Sequence, residues 1–286
     1  MEKLRSKKEL RDWIAKGRKK NRILVPTMGA LHEGHTSLFD LAVKHAEGGD
    51  VIATIFVNPT QFGPNEDFEA YPRQLEQDLI KCESHGVTAV FLPEKSEMYA
   101  EDTSIQIHEN QLSKRLCGSS RPGHFDGVCT IVAKLFLLTQ PDGAVFGEKD
   151  FQQLAVIRRL VQDLDFPIKI IPGATVREPD GLAMSSRNAG LTTEQRAQAP
   201  LIQQSLSCVA EGIASRKYDS PDSAAKALHQ LLESASSGET EYAEIVDAST
   251  LGSLESFKSA DPRLLAAVRF GRTRLIDNIG VPLLNE

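Results

Sequence analysis

The stretch Arg22–Val57, RILVPTMGALHEGHTSLFDLAVKHAEGGDVIATIFV, decides the fold. Arg22 to Pro26 is a short apolar run ending in a breaker, as in a buried strand. From His35 to Ala46 the apolar residues Leu38, Phe39, Leu41 and Ala42 recur at helical spacing, and Gly48-Gly49 ends the element. Val51 to Val57 is a second continuous β-rich run, closed by Asn58-Pro59. Strand, helix and strand in this order form a parallel βαβ unit with a right-handed crossover.

The alternation continues downstream. Helices are expected at Tyr71–Ser84, Val128–Leu138 and Lys149–Leu164, with strands at Val87–Leu92, Gly143–Phe146 and Ile168–Ile171. This is an α/β fold, a Rossmann-like doubly wound parallel sheet whose ligands bind at the carboxyl ends of the strands. Upstream, Met1 to Arg18 reads as an exposed amphipathic helix. After about Thr175 the texture changes. A long helical stretch, Thr193–Lys217, precedes a Ser/Ala-rich helix at Pro221–Ser234 and strands at Tyr242–Ala248, Leu264–Phe270 and Thr273–Asn278. Helices followed by strands indicate a smaller C-terminal α+β domain. The reading therefore divides the chain into residues 1–175 and 176–286, with no internal repeat and no biased tract beyond a short serine patch at Ser234–Ser237.

Composition narrows the function. The 286 residues are 41% hydrophobic and 25% charged, ordinary for a soluble protein with a sizeable core. Asp and Glu outnumber Lys and Arg, 39 to 33, giving a net charge of −6, so a broad nucleic-acid face is not expected. Cys82, Cys117, Cys129 and Cys208 include no CxxC pair and are read as reduced thiols. The opening residues are too charged for a secretory segment, and no apolar run approaches the roughly 20 residues of a membrane span. The expectation is a cytoplasmic protein with no membrane partner.

Three segments carry chemistry. Pro26-Thr-Met-Gly-Ala-Leu-His-Glu-Gly-His35 follows the first strand and opens the first helix. Gly29 permits a tight turn that leaves backbone N–H groups for a phosphate. His32 and His35 share a helix face at its N-terminus, where dipole and imidazole N–H groups favour an anion. An arbitrary HxxH pair is more simply a helix cap with a solvated neighbour, or a metal pair lacking a third ligand; the flanking strand and turn favour the phosphate reading. Phe146-Gly-Glu-Lys-Asp150 places Lys149 just after a strand, with Gln153 one helical turn on; a capping Asp150 with surface Lys and Gln is the alternative. Met184-Ser-Ser-Arg187 offers two hydroxyls and a guanidinium, the fork-shaped partner of phosphoryl oxygens.

The first segment resembles the HIGH motif, and the third the KMSKS loop, of the class I aminoacyl-tRNA synthetase and nucleotidylyltransferase superfamily. The third departs from it: Ala183 precedes Met184, so the first lysine is absent, and Ser186 replaces the second. Together with Phe56-Val-Asn-Pro-Thr-Gln-Phe-Gly63, Tyr71-Pro-Arg73, Arg121-Pro-Gly-His-Phe-Asp-Gly-Val128 and Phe146-Gly-Glu-Lys-Asp-Phe-Gln-Gln153, these segments resemble the pantothenate synthetase family over residues 26–188.

That resemblance implies an ATP-dependent, AMP-forming condensation of pantoate with β-alanine through a pantoyl adenylate, with Mg²⁺. It implies that Met28, Gly29, Ala30, Leu31, His32, Glu33, Gly34 and His35 line the ATP phosphates and ribose. Gly147, Glu148, Lys149, Asp150, Val176, Met184, Ser185, Ser186 and Arg187 complete that site, with the C-terminal domain closing over it. His35, His32, Lys149 and Arg187 are the implied catalytic residues, His35 as proton donor to pyrophosphate. Gln61 and Gln153 hold pantoate, with Asn58 and Tyr71 as further candidates. Asp78 matches an acidic run near the metal-bound phosphates, thinned here because Gln77 precedes it. Arg121 and His124 fall in a loop, either over the site or structural. A homodimer is also implied. Two rivals remain at this point: another small-molecule nucleotidylyltransferase or trimmed aminoacyl-tRNA synthetase, and an ATP-binding sensor without turnover.

Overall fold

Strand β2 (Arg22–Thr27) is buried along nearly its whole length, with Leu24 and Val25 fully enclosed. In a parallel sheet covered on both faces such a strand reads as a continuous apolar run. The computed structural model describes residues 1–17, 20–63, 68–69, 71–234, 237–258 and 261–281. β2 pairs with β3 (Asp50–Ile55) on one side and β5 (Gly143–Gly147) on the other. With β1 (Glu2–Leu4), β4 (Ala89–Phe91) and β6 (Lys169–Gly173) they form a six-stranded sheet in the order β1-β4-β3-β2-β5-β6, parallel throughout. The α-helices are α1 (Lys7–Ala15), α2 (Glu33–Ala46), α3 (Leu75–Ser84), α4 (Lys95–Met98), α5 (Cys117–Ser120), α6 (His124–Thr139), α7 (Phe151–Asp163), α8 (Thr193–Gln198), α9 (Leu201–Ala214) and α10 (Pro221–Glu233).

The strand order reverses between β2 and β5. Their carboxyl ends, Thr27 and Gly147, are where an open parallel sheet leaves a crevice for ligands, and two of the three chemistry-bearing segments begin there. Phe39 and Ala42 of α2 join Val25, Ala53, Val90 and Val145 in the core beneath. At Gly173 a Cβ would lie 2.2 Å from Leu38 Cδ2, so the end of β6 runs close under α2.

Helices α8 to α10 pack with a three-stranded antiparallel meander, β7 (Gly238–Asp247), β8 (Pro262–Phe270) and β9 (Thr273–Gly280). Leu206, Val209 and Leu228 meet Leu264, Ala266 and Phe270 in a second core. The chain forms two compact units: residues 1–114, 118–148 and 156–174 in one, residues 115–117, 149–155 and 175–286 in the other. Crossings therefore occur at more places than one boundary near Thr175. Side chains account for this: Gln152 accepts from Cys117 N (3.0 Å) and donates to Arg115 O (2.8 Å), while the Arg263 guanidinium lies 3.9 Å over the Phe151 ring.

Several local expectations change. Met1–Arg18 is not one helix: Glu2–Leu4 is an edge strand on β4, and Ser6 caps α1 by accepting from Glu9 N. Three residues are too few for a period to show, and the partner strand lies far along the chain; Arg18 is outside the described residues. The Thr193–Lys217 stretch divides at Pro200, which has no N–H to continue a helix, and α9 ends at Ala214, with Arg216 at φ 58°. Helix α3 starts at Leu75, beyond Pro72, and Lys149 sits in a 3₁₀ turn, Glu148–Asp150, rather than in α7. His124 begins α6 and is not in a loop. The middle of the serine patch, residues 235–236, lies outside the described residues.

All four cysteines are thiols, and burial pushes those of Cys82 and Cys129 up to about 12, which keeps them protonated. No described helix is long and apolar enough to cross a membrane.

Arg22 pins the first sheet. It is 2% exposed, its Nε and Nη2 donate to Asp50 Oδ2 (3.3 and 3.1 Å), and its Nη1 donates to Thr139 O (3.1 Å). Asp50→Ala would leave a buried guanidinium without its counter-charge. Because Asp50 is itself partly exposed, the loss should fall at the low end of the ~3–5 kcal/mol typical of such breaks. Urea unfolding checks it, and an unchanged midpoint would show that Arg22 is satisfied without Asp50.

Candidate active site

The segment after β2 folds back on itself. Gly29 (φ 83°) and Ala30 (φ 52°) both adopt left-handed conformations. A Cβ on Gly29 would stand 3.0 Å from Asp78 Oδ2 and 3.1 Å from Ile55 Cγ2, so the position suits only glycine. Gly29 N donates to Thr27 Oγ1 (3.2 Å), which in turn donates to Thr54 O (2.7 Å). Ala30 N donates to Asp78 Oδ2 (2.9 Å) and Leu31 N to Asp78 Oδ1 (2.8 Å). Lys81, one turn along α3, donates to Leu31 O. The turn amides expected to be left for a phosphate are thus taken by the protein, two of them by a carboxylate that is 1% exposed.

The histidines cap α2. His32 Nδ1 accepts from Gly34 N (3.1 Å), and His35 Nδ1 accepts from His32 N (3.3 Å), a reciprocal capping box. The ring centroids are 4.1 Å apart. An imidazole that accepts at Nδ1 carries its proton on Nε2. The hydrogen-bond network therefore assigns both rings the Nε2–H tautomer, two neutral donors at the N-terminus of a 14-residue helix. Capping and anion recognition are compatible here, because they use different ring nitrogens. Glu33, between them, is exposed.

Gln61 sits in a 3₁₀ turn, Pro59–Gln61, and is 8% exposed. Its Nε2 donates to Met28 Sδ (3.0 Å), which joins it to the turn after β2. Its Oε1 accepts from Asn58 Nδ2 (3.2 Å). Asn58, 1% exposed, is a hub: Nδ2 also donates to Gly127 O (3.1 Å), and Oδ1 accepts from Tyr99 OH (2.8 Å) and Thr60 Oγ1 (3.0 Å). Burial pushes the Tyr99 phenol up, so it stays a donor. His124 Nδ1 lies 2.7 Å from Gln61 O and must donate to it; Nε2 then accepts from Arg121 Nη1 (3.0 Å). Arg121 and His124 thus brace the Gln61 backbone. Tyr71 is buried edge-on to Phe62.

The other candidates belong to the second unit, apart from Gly147 and Glu148. Lys149 is 21% exposed, with Nζ 3.9 Å from Asp150 Oδ2, and its carbonyl accepts from Asn278 Nδ2 (2.9 Å). Gln153 is half-buried in α7. Val176 O accepts from Met184 N (3.0 Å), and Ser185 Oγ accepts from Arg187 N (3.3 Å), capping a 3₁₀ turn at Ser186–Gly190. Asn188 Nδ2 donates to Glu178 Oε1 (2.7 Å) and to Ala183 O (3.1 Å). The hydrogen bond from Arg196 holds the Asp180 carboxyl below the usual carboxylate range.

The sequence reading missed Thr27, Thr60, Lys81, Tyr99, Gly127 and Asn278. Only Lys81 left a signal, three residues from Asp78 and so on the same helix face. Among the described residues no cluster of three or more His, Cys, Asp or Glu could hold a metal ion, and both Asp78 oxygens already accept from backbone amides. The described residues around Asp78 therefore offer no ready set of ligands for a resident divalent cation.

A family profile described as Pantoate-beta-alanine ligase matches residues 2–280. A pantothenate synthetase of Akkermansia muciniphila is 47% identical over 286 residues, covering 98% of this chain and 99% of that protein. One of Paramagnetospirillum magneticum is 50% identical over 258 residues, covering 90% and 89%. The crystal structure of pantothenate synthetase from Thermus thermophilus matches with a TM-score of 0.92 at 41% identity, over 98% of this chain and 99% of that one. The pantoate-beta-alanine ligase of Francisella tularensis, complexed with beta-gamma ATP and beta-alanine, matches at 0.81 and 34% identity, over 98% and 97%.

The Asp78 clamp can be tested without ligand. Asp78→Asn retains one acceptor oxygen, so one of the Ala30 and Leu31 amides loses its partner. A hydrogen bond to a charged group contributes ~1.5–3 kcal/mol, so exchange in a peptide spanning the turn should quicken by roughly tenfold to a hundredfold. Unchanged exchange by mass spectrometry would remove Asp78 from this role.

Proposed function

The chain belongs to the pantoate-β-alanine ligase family, and we propose that it joins pantoate to β-alanine using ATP, through a pantoyl adenylate, releasing AMP and pyrophosphate. Family membership sets aside the nucleotidylyltransferase and sensor readings. The observation that carries the chemistry is the pair of imidazoles held as Nε2–H donors at the switch point of the sheet. A pantoate carboxylate oxygen attacks the α-phosphorus, and the bond to the β-phosphate oxygen breaks. Charge then grows on pyrophosphate, where preorganised donors stabilise the transition state more than the ground state. His35 Nε2–H is assigned to the leaving oxygens and His32 Nε2–H to the same phosphates. Lys149 and Arg187 add positive charge, and Met184, Ser185, Ser186, Val176 and Gly147–Asp150 line the nucleotide. Magnesium enters with the nucleotide as Mg·ATP, and we assign Asp78 to holding the turn instead of the metal.

In the second step the amine of β-alanine attacks the acyl carbonyl, AMP departs, and the new amide nitrogen loses a proton. No enzyme nucleophile is needed, because the mixed anhydride is already activated. Gln61 and Gln153 each offer a donor and an acceptor for a hydroxy acid. Asn58 acts through Gln61, and Tyr71 packs behind that turn. The family resemblance also supports a homodimer, which sedimentation of the purified chain tests directly.

Labelled pyrophosphate should exchange into ATP with pantoate and Mg²⁺ present and β-alanine absent. Exchange that strictly needs β-alanine would mean a concerted reaction and would end the adenylate scheme. His35→Ala should lower kcat by about 10²–10⁴ with the fold intact; near-normal turnover would exclude His35 as the donor.

Gly127→Ala probes the pantoate side. A Cβ there would lie 2.4 Å from Thr60 O and 2.7 Å from Gln61 N, so α6 must push the Gln61 turn aside. Overpacking of this kind costs about 1–3 kcal/mol. The KM for pantoate should rise about tenfold while that for ATP changes little. Equal increases in both would separate Gln61 from pantoate.

A further inference from the structure

We propose that Asn278 is a positioning residue for adenylate formation: through the Lys149 carbonyl it fixes where the Lys149 ammonium stands, and Arg263 fixes the amide of Asn278. Asn278 lies on β9 and is 3% exposed. Its Oδ1 accepts two bonds from the guanidinium of Arg263, from Nε (2.8 Å) and Nη2 (2.6 Å). Two N–H donors on one side leave no choice in the amide's orientation, since only oxygen can accept them. Nδ2 therefore faces Lys149 O at 2.9 Å. Arg263 is itself held on the face of Phe151, two residues beyond Lys149, at 3.9 Å. A closed set of contacts thus joins β8, β9 and the turn that carries Lys149.

The preceding residue of the same strand does similar work. Asp277 takes Arg177 in a two-pronged ion pair (2.6 and 3.0 Å). Arg177 adjoins Val176, whose carbonyl receives Met184 N at the head of the Met184–Arg187 segment. Side chains of consecutive strand residues point to opposite faces. Neighbouring residues of one strand therefore hold both segments that carry the cations assigned to phosphate. A terminal strand with no assigned part in the reaction sets the positions of groups that have one.

The inference rests on the phosphate role proposed for Lys149, and the test separates the two. Asn278→Asp is nearly isosteric and keeps the acceptors for Arg263, but it turns an oxygen toward the Lys149 carbonyl. Pyrophosphate exchange driven by pantoate should fall by about tenfold to a hundredfold, with the KM for pantoate within about twofold and the thermal midpoint near that of the parent. Asn278→Ala, which removes the donor without adding charge, should fall in the same direction by less. On a Lys149→Ala background, Asn278→Asp should add no further loss, because its effect passes through the missing ammonium. Losses that multiply, exchange at the parental rate, or failure of both variants to unfold cooperatively would each overturn the proposal and leave Asn278 to the fold alone. If Lys149→Ala itself leaves exchange unchanged, the phosphate role of Lys149 falls first.

Discussion

One buried carboxylate accepting from two consecutive backbone amides organises the functional end of the sheet. Between Thr27 and His32 the chain must reverse from a buried strand into a helix, and Gly29 and Ala30 do so in left-handed conformations. Such a turn points its N–H groups inward, where water cannot reach them, and a buried donor without a partner costs ~1–3 kcal/mol. Asp78 meets two of them, and Lys81 from the same helix takes the Leu31 carbonyl. The turn, the start of α2 and α3 are thereby joined, and the histidine rings inherit their orientation from that frame.

This alters how a phosphate can be recognised. In a glycine-rich phosphate loop the amides meet the anion directly. Here the amides of Gly29, Ala30, Leu31, His32 and Gly34 are engaged by protein acceptors. The proposed phosphate role of this segment therefore rests on the imidazole Nε2–H groups, not on the turn amides. Side-chain donors on a capped helix can be aimed at charge that develops during the reaction, which a fixed ring of amides around the ground state does less selectively.

The Asn58 network follows the same logic. The pantoate role proposed for Gln61 requires its amide to keep one orientation. Asn58, Thr60 and Tyr99 form a buried hydrogen-bonded set behind it, while Arg121 and His124 hold its carbonyl. Fully satisfied polar networks in a low-dielectric setting are rigid, and partly satisfied ones are costly. Gly127 completes the arrangement by letting α6 approach the Pro59–Gln61 turn within a distance no Cβ would allow.

The sequence by itself determined the parallel α/β class and the strand–turn–helix contexts of the His32/His35 and Lys149 segments. These are readable because periodicity and turn chemistry act over a few neighbouring residues. Tertiary structure alone decided what depends on distant pairing. Asp78 became an acceptor for amides 47 and 48 residues away, where its motif position had suggested a metal. Glu2–Leu4 became a strand only because β4 offered an open edge. Residues 149–155 joined the second unit through side chains of Arg263 and Asn278 that no local pattern anticipates. In each case a buried polar group or an unpaired edge had to find a partner, and the partner's identity follows from how the chain packs, not from the residues beside it.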